Sequence, residues 1–232
     1  WIRMKYLITT RADEGVQEYA NISHPVIKNY ADSIGADFLV MDHVSGCTEG
    51  NGKWHYRIFK HKELHDEYDR ILHLDTDMLL TPGCPNIFDV VAYDNIGTTL
   101  EDKGSRRADR KNRMFAAQQQ FGNINWSEQY INTGVFVTSK CHADIYQTIN
   151  DSYWLGYGQD DVHIGYLIKK NGYTIQDLGY RFNHMTMFSE PWNGTPDRFD
   201  SHVIHYAGAG IFDPGVPNAI EQMKRDYSRL YG

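Results

Sequence analysis

The sequence predicts an α/β fold, a single domain over residues 1–232 with a mostly parallel central sheet flanked by helices. Three observations predict it. The chain opens strand–helix–strand, a unit that joins parallel strands by a right-handed crossover. An apolar run, Ile71-Leu72-His73-Leu74, then ends abruptly in Asp75-Thr76-Asp77. Beyond it, strand-like and helical segments alternate with no internal repeat and no interdomain linker.

Taken in order, Tyr6-Leu7-Ile8-Thr9-Thr10 reads as the first strand, and a helix follows from about Val16 to Ile34, with Val16, Tyr19, Ala20 and Ile27 among its apolar positions. Gly35 stops that helix, and Asp37-Phe38-Leu39-Val40-Met41 is the second strand. A glycine-rich loop, Ser45 to Gly52, precedes a helix expected from Trp54 to Glu67, which leads into the strand that carries the acidic pair. Asn95–Leu100 is a further strand, and the charged stretch Glu101–Arg113 reads as a solvated loop, with a phosphate-gripping flap as its functional alternative. The second half holds a strand over Tyr130–Thr138, a helix to about Trp154, and a helix from Asp160 to Asn171 stopped by Gly172. Short strands near Tyr173–Ile175 and His202–Tyr206 and a terminal helix over Asn218–Tyr231 complete it.

With 41% hydrophobic and 23% charged residues the chain has a globular composition. Its net charge of −7 excludes a general nucleic-acid binder or a polybasic membrane surface. Cys47, Cys84 and Cys141 are too few and too scattered for a disulfide framework or a zinc site. No stretch is long and apolar enough to span a bilayer, so a cytoplasmic location is expected; the chain begins at Trp1, and an upstream anchor would make the Golgi lumen the alternative. Four Asn-x-Ser/Thr sequons, at Asn21, Asn125, Asn150 and Asn193, carry little weight in a chain this rich in asparagine.

The chemistry centres on Asp75 and Asp77. In an extended chain residues i and i+2 face the same side. Two carboxylates so placed repel and resist desolvation unless a cation joins them. Oxygen ligands favour Mg²⁺ or Mn²⁺, which commonly serve phosphate-bearing substrates. The position suits binding, because open α/β sheets bind ligands beyond the carboxyl ends of their strands.

Four segments join this pair. Lys53-Trp54-His55-Tyr56-Arg57 offers a cation for a diphosphate, although it also reads as an ordinary helix start. Ile131-Asn132-Thr133-Gly134 offers a bidentate amide and a close backbone approach, or only a kinked strand. Gly158-Gln159-Asp160-Asp161 begins a helix, where one aspartate suffices as a cap and the second suggests a polar pocket wall. His205-Tyr206-Ala207-Gly208 closes a strand; His205 is either a buried structural histidine or a third metal ligand, with backbone N–H groups of the Gly208 turn reaching phosphate.

In this order the motifs Leu74-Asp75-Thr76-Asp77, Asn132-Thr133-Gly134, Gln159-Asp160-Asp161 and His205-Tyr206-Ala207-Gly208 resemble those of metal-dependent glycosyltransferases of the GT-A fold, in particular families 8 and 34. The resemblance spans nearly the whole chain. It implies a Rossmann-like GT-A domain with a nucleotide-binding half (about 1–100) and an acceptor-side half (about 101–232). It also implies a nucleotide-sugar donor, UDP by default, a Mn²⁺ (or Mg²⁺) ion and a carbohydrate or glycoconjugate acceptor. Asp75 would lie near the donor ribose and sugar, with Asp77 and His205 as metal ligands. Arg57 would contact the donor, Asn132 and Asp160 or Asp161 would bind the transferred sugar, and Ile8-Thr9-Thr10 would form part of the nucleotide pocket. One departure stands out: Ile211-Phe212 follow the histidine turn where family 8 usually has a lysine for the diphosphate. Charge neutralisation then falls to Arg57, the 101–113 segment or the metal.

Transfer with retention is expected from the Asn-Thr-Gly and His-Tyr-Ala-Gly segments. Inversion with Asp161 as base is the alternative. Trp154, Tyr157 and Trp192 are candidate platforms for an acceptor sugar. A nucleotidyltransferase would carry a glycine-rich basic signature after the first strand, which Thr9-Thr10-Arg11-Ala12-Asp13-Glu14-Gly15 lacks. A non-catalytic nucleotide-sugar binder is the rival from outside enzymes.

Overall fold

The computed structural model describes residues 4–41, 53–208 and 210–232, with the side chains of Lys53 and Trp54 left aside. The expected loop Ser45–Gly52, Cys47 and Ala209 of the Gly208 turn lie outside the described residues. The strands are β1 (Tyr6–Arg11), β2 (Asp37–Met41), β3 (Arg70–Leu74), β4 (Met78–Leu80), β5 (Asn95–Leu100), β6 (Ile131–Ser139), β7 (Thr174–Asp177) and β8 (Val203–His205). The α-helices are α1 (Gln17–Ile34), α2 (His61–Leu64), α3 (Ile87–Val90), α4 (Arg107–Phe121), α5 (Gln159–Asn171) and α6 (Ala219–Tyr231).

Six strands form one sheet in the order β2-β1-β3-β6-β5-β7, and β4 and β8 form a separate two-stranded ribbon. Strands β1, β2 and β3 are parallel, β6 is antiparallel to both β3 and β5, and β7 is parallel to β5. Only β6 is reversed, which makes this a mostly parallel sheet. The reversal brings the first residues of β6 to the edge where β1 and β3 end, and Leu74 pairs with Val135 there.

Side-chain alternation divides the core between the two faces of this sheet. Val135 and Val137 of β6 pack with Ile8, Leu72, Leu74 and Ile27 of α1 on one face. Phe136 joins Ile131, Met114 of α4 and Ile164 of α5 on the other. Glycines Gly35 (φ 70°) and Gly172 (φ 75°) end α1 and α5 in the left-handed conformation that stops a helix without a Cβ penalty. Among the described residues no helix is long and apolar enough to cross a membrane, and Cys84 and Cys141 are free thiols.

Three segments differ from expectation. Residues Lys53–Lys60 form a 3₁₀-helix, with only His61–Leu64 in α conformation. Four consecutive side chains there, Tyr56 to Phe59, are all buried, a pattern incompatible with one apolar stripe on a regular α-helix. The Glu101–Arg113 stretch is not a loop: it runs through a short 3₁₀ turn into α4. Arg110 binds Glu101 and Asp109, Arg113 binds Asp109, and the following turns bury Met114 and Ala117. The helix expected up to Trp154 is a 3₁₀ segment over Lys140–Ile145, after which Asn150 (φ 49°) and Asp151 (φ 56°) turn the chain.

Candidate metal centre and donor pocket

The acidic pair sits in a turn between β3 and β4, not in an extended strand. Two backbone bonds aim it. Asp75 N–H donates to Gly134 O (2.9 Å), which anchors the turn to β6, and Tyr206 N–H donates to Asp77 O (2.9 Å), which anchors it to the chain after β8. Met78 pairs with His205 across the ribbon. The imidazole therefore lies beside both carboxylates, with Nε2 at 3.3 Å from Asp77 Oδ1 and 4.0 Å from Asp75 Oδ2. One donor atom from each of Asp75, Asp77 and His205 lies within 4.8 Å of the others.

The donor chemistry fits a divalent cation. His205 Nδ1 faces Asn183 Oδ1 at 2.8 Å, so Nδ1 carries the proton and Nε2 presents a lone pair. Two carboxylate oxygens and one imidazole nitrogen then converge with no hydrogen between them, an arrangement that a cation or an added proton must relieve. Burial opposes an imidazolium at His205, but the charge of Asp77 outweighs it and raises the pKa. Hard oxygens with one imidazole suit Mn²⁺ or Mg²⁺.

Only Oδ2 of Asp75 is turned to this cluster. Its Oδ1 accepts from Arg11 and lies 3.3 Å from His73 Nε2. Burial works against the Asp75 carboxylate, yet Arg11 and His73 hold its pKa well below the usual range. Arg11 was not singled out from the sequence, and it links the site's two acidic groups: its second nitrogen donates to Asp160 Oδ2 at 2.9 Å. It stands at the carboxyl end of β1, the position where a parallel sheet presents ligand-binding groups, and that was the available signal.

Asp160 and Asp161 share Thr133. The Thr133 hydroxyl is 3.0 Å from Asp160 Oδ2 and 2.8 Å from Asp161 Oδ1, and the Thr133 N–H donates to Asp161 Oδ1 at 2.7 Å. The hydroxyl has one hydrogen for the two carboxylates, while Arg11 supplies Asp160 and the Thr133 N–H supplies Asp161. Burial, then the charges of Asp160 and Glu101, push the Asp161 pKa well up.

Arg11, Asp13, Val16, His55, Arg57, Asp75, Thr76, Asp77 and Gly208 line a cavity of about 290 Å³. Arg57 donates to Ala12 O (3.0 Å) and Asp13 Oδ2 (3.3 Å), while its buried Nε has no partner among the described residues. Gly208 (φ 63°) has no heavy atom within 4 Å of where a Cβ would sit, so its backbone is open to a ligand. Thr9 and Thr10 lie behind this wall. Thr9 Oγ1 is 2.8 Å from His61 Nε2 and 3.0 Å from His73 Nδ1, and Thr10 Oγ1 is 3.4 Å from Thr76 Oγ1. Asn132 is held by Glu101, Gly134 and Asn183. Of the aromatic candidates, Trp154 is buried, Tyr157 is 82% exposed and Trp192 is 40% exposed, so only the last two present a face to solvent. A larger cavity, about 550 Å³, lies around Arg198 and Phe212. It holds no acidic pair facing a histidine, and Arg198 there is already paired with Asp213 and Asp226.

No family model and no curated protein matches the sequence. Solved structures do match. A glycosyltransferase involved in glycosylation of the major capsid of PBCV-1 superposes over 97% of this chain and 100% of its own, with 13% identity and a TM-score of 0.62. The galactosyltransferase LgtC, solved with donor and acceptor sugar analogues, covers 97% of this chain and 96% of its own at 17% identity and a TM-score of 0.60. Mouse xyloside xylosyltransferase 1 covers 87% and 96% at 12% identity and a TM-score of 0.50. The chain has the GT-A fold, the fold of glycosyltransferases of this kind. At these identities the likeness establishes architecture alone.

Proposed function

We propose that this chain is a metal-dependent glycosyltransferase that moves a sugar from a nucleotide-sugar donor to a carbohydrate or glycoconjugate acceptor. One observation carries the reading: Asp75 Oδ2, Asp77 Oδ1 and His205 Nε2 converge beside a cavity that Asp75 and Asp77 line, at the carboxyl-end edge of a GT-A sheet. Mn²⁺ is the preferred ion and UDP the preferred nucleotide. The bound ion would neutralise charge developing on a departing diphosphate. Arg57 and the Gly208 backbone supply donors to the same group, with Thr9 and Thr10 supporting the nucleotide wall from behind. The halves at about 1–100 and 101–232 both contribute, since Asp75 and Asp77 belong to the first and His205 to the second.

Arg11, Asp160 and Asn132 lie on the side of the transferred sugar, with Arg11 holding Asp160 oriented. Retention is favoured over inversion by the Asn132-Thr133-Gly134 and His205-Tyr206-Ala207-Gly208 segments, which resemble those of retaining families. Tyr157, exposed beside Arg113 (5.9 Å to the ring centroid), is the preferred stacking surface for the acceptor.

The test is a thermal-shift panel of UDP- and GDP-sugars, each with Mn²⁺ and with EDTA, on the wild type and Asp77→Ala. Stabilisation by one nucleotide class only with metal, absent in Asp77→Ala, is expected. Release of free nucleotide in the presence of acceptor glycans then separates an enzyme from a binding protein. No shift with any nucleotide plus metal refutes the reading.

A further inference from the structure

His205 can present a lone pair to a cation only while its proton stays on Nδ1, and the structure shows what keeps it there. Nδ1 faces Asn183 Oδ1 at 2.8 Å. Asn183 Nδ2 donates to Asn132 Oδ1 at 2.7 Å, and Asn132 Nδ2 donates to Glu101 Oε1 at 2.6 Å. Glu101 in turn accepts from Arg110 Nε at 2.7 Å through its other oxygen. All of Glu101, Asn132, Asn183 and His205 are at most 8% exposed, so water does not substitute for any link.

The direction of this chain is fixed at both ends of Asn132. A carboxylate can only accept, so the Asn132 amide nitrogen must face Glu101. The Gly134 N–H can only donate, and it points at Asn132 Oδ1 from 2.9 Å. With Asn132 set, Asn183 must turn its nitrogen to Asn132 and its oxygen to the imidazole. His205 is left one choice of tautomer.

We propose that Asn183 is a positioning residue for the metal centre: with Asn132 and Glu101 it imposes the Nδ1–H tautomer on His205 and so reserves Nε2 for a divalent cation. The role in metal binding rests on the reading of Asp75, Asp77 and His205 given above, whereas the tautomer does not. Outer partners of this kind orient metal-bound histidines, and their loss weakens metal binding by about 10- to 100-fold.

The test uses two readouts on the intact chain. Two-dimensional ¹⁵N–¹H NMR of histidine-labelled protein in EDTA, above the pH at which His205 titrates, reports which nitrogen carries the proton. Mn²⁺ titration followed by electron paramagnetic resonance reports affinity. The expected wild-type tautomer is Nδ1–H. Asn183→Ala should admit the Nε2–H form and bind Mn²⁺ about 10- to 100-fold more weakly. Asn183→Gln keeps an amide that can accept from Nδ1–H and donate to Asn132 Oδ1, and should recover both the tautomer and most of the affinity, which mere space-filling would not. A wild-type Nε2–H signal overturns the proposal without any variant. So does an Asn183→Ala protein that keeps the Nδ1–H tautomer. Wild-type Nδ1–H with no Mn²⁺ binding would overturn the metal reading and leave the tautomer control standing.

Discussion

Replacing Arg11 with methionine tests the electrostatics of the site most directly. The guanidinium is the shared cation of Asp75 and Asp160, and the side-chain exposures are 12%, 18% and 6%, respectively. An exposed ion pair is worth at most about 1 kcal/mol, but removing one partner of a buried pair costs about 3–5 kcal/mol because the other charge is stranded. Here two carboxylates are stranded at once. Burial works against the charge on Arg11, yet Asp75 and Asp160 still raise its pKa, which places the site on the strongly coupled side. For a domain of this size each kcal/mol moves the melting temperature by about 2–4 °C, so Arg11→Met should lower it by roughly 10 °C in EDTA. Methionine keeps the unbranched stem, so lost packing contributes little. Melting followed by circular dichroism in EDTA and in Mn²⁺ is the assay. Mn²⁺ should recover part of the loss, because an ion on Asp75 replaces one of the missing interactions while Asp160 stays uncompensated. A fall of less than about 2 °C in EDTA would refute the argument that this guanidinium neutralises the site.

Two further changes probe other parts of the molecule. At Gly134 an added Cβ would lie 2.8 Å from His205 Cε1 and 2.7 Å from Met78 Cε. Gly134→Ala should therefore destabilise the fold by about 1–3 kcal/mol and weaken Mn²⁺ binding by shifting the imidazole, read by urea unfolding and metal titration. His163 is fully buried; its Nδ1 accepts from Trp154 N–H and its Nε2 faces Gln147 O. Burial pushes its pKa down from 6.5 to about 4, against the opposing pull of the Gln147 carbonyl and Asp160. Between those pH values the unfolded chain binds a proton that the folded chain does not, so stability falls as pH drops below 6.5 and levels off below 4. The loss from this group is about 3 kcal/mol. His163→Gln, which keeps a donor and an acceptor without titrating, should flatten that part of the urea midpoint against pH; an unchanged slope would refute the assignment.

Much of the centre was legible because its parts obey local rules. Asp75 and Asp77 close an apolar run, His205 closes another, and β5, α5 with Gly172, and α6 fall where periodicity and caps put them. The acidic pair, however, is not aimed by extended-strand geometry. The residues sit in a turn, and it is the β4–β8 ribbon that turns His205 toward them. What stayed hidden was set by tertiary pairing. Arg11 reads as an ordinary strand end until Asp160, 149 positions away, is folded beside it. Asn183 and Glu101 carry no motif; only their hydrogen bonds reveal them. The Glu101–Arg113 charge run hid a helix start, although arginine and lysine are good helix formers, because Arg110 and Arg113 pair with Glu101 and Asp109 while Arg106, Arg107 and Lys111 stay exposed.

The separation of these pieces along the chain has a kinetic consequence. Thr81 meets Ser201 across 120 positions, and Arg11 meets Asp160 across 149. Contacts between such distant segments must overcome loop-closure entropy before they return any stabilisation, and chains rich in them fold slowly. Within the β1–α1–β2 unit the strand pairing is local, Leu7 with Asp37, so that pairing can form early while the cluster of Asp75, Asp77 and His205 awaits the β4–β8 closure. A refolding time course should therefore show backbone structure well before Mn²⁺ affinity. Metal binding would then serve as a clock for the last event of folding.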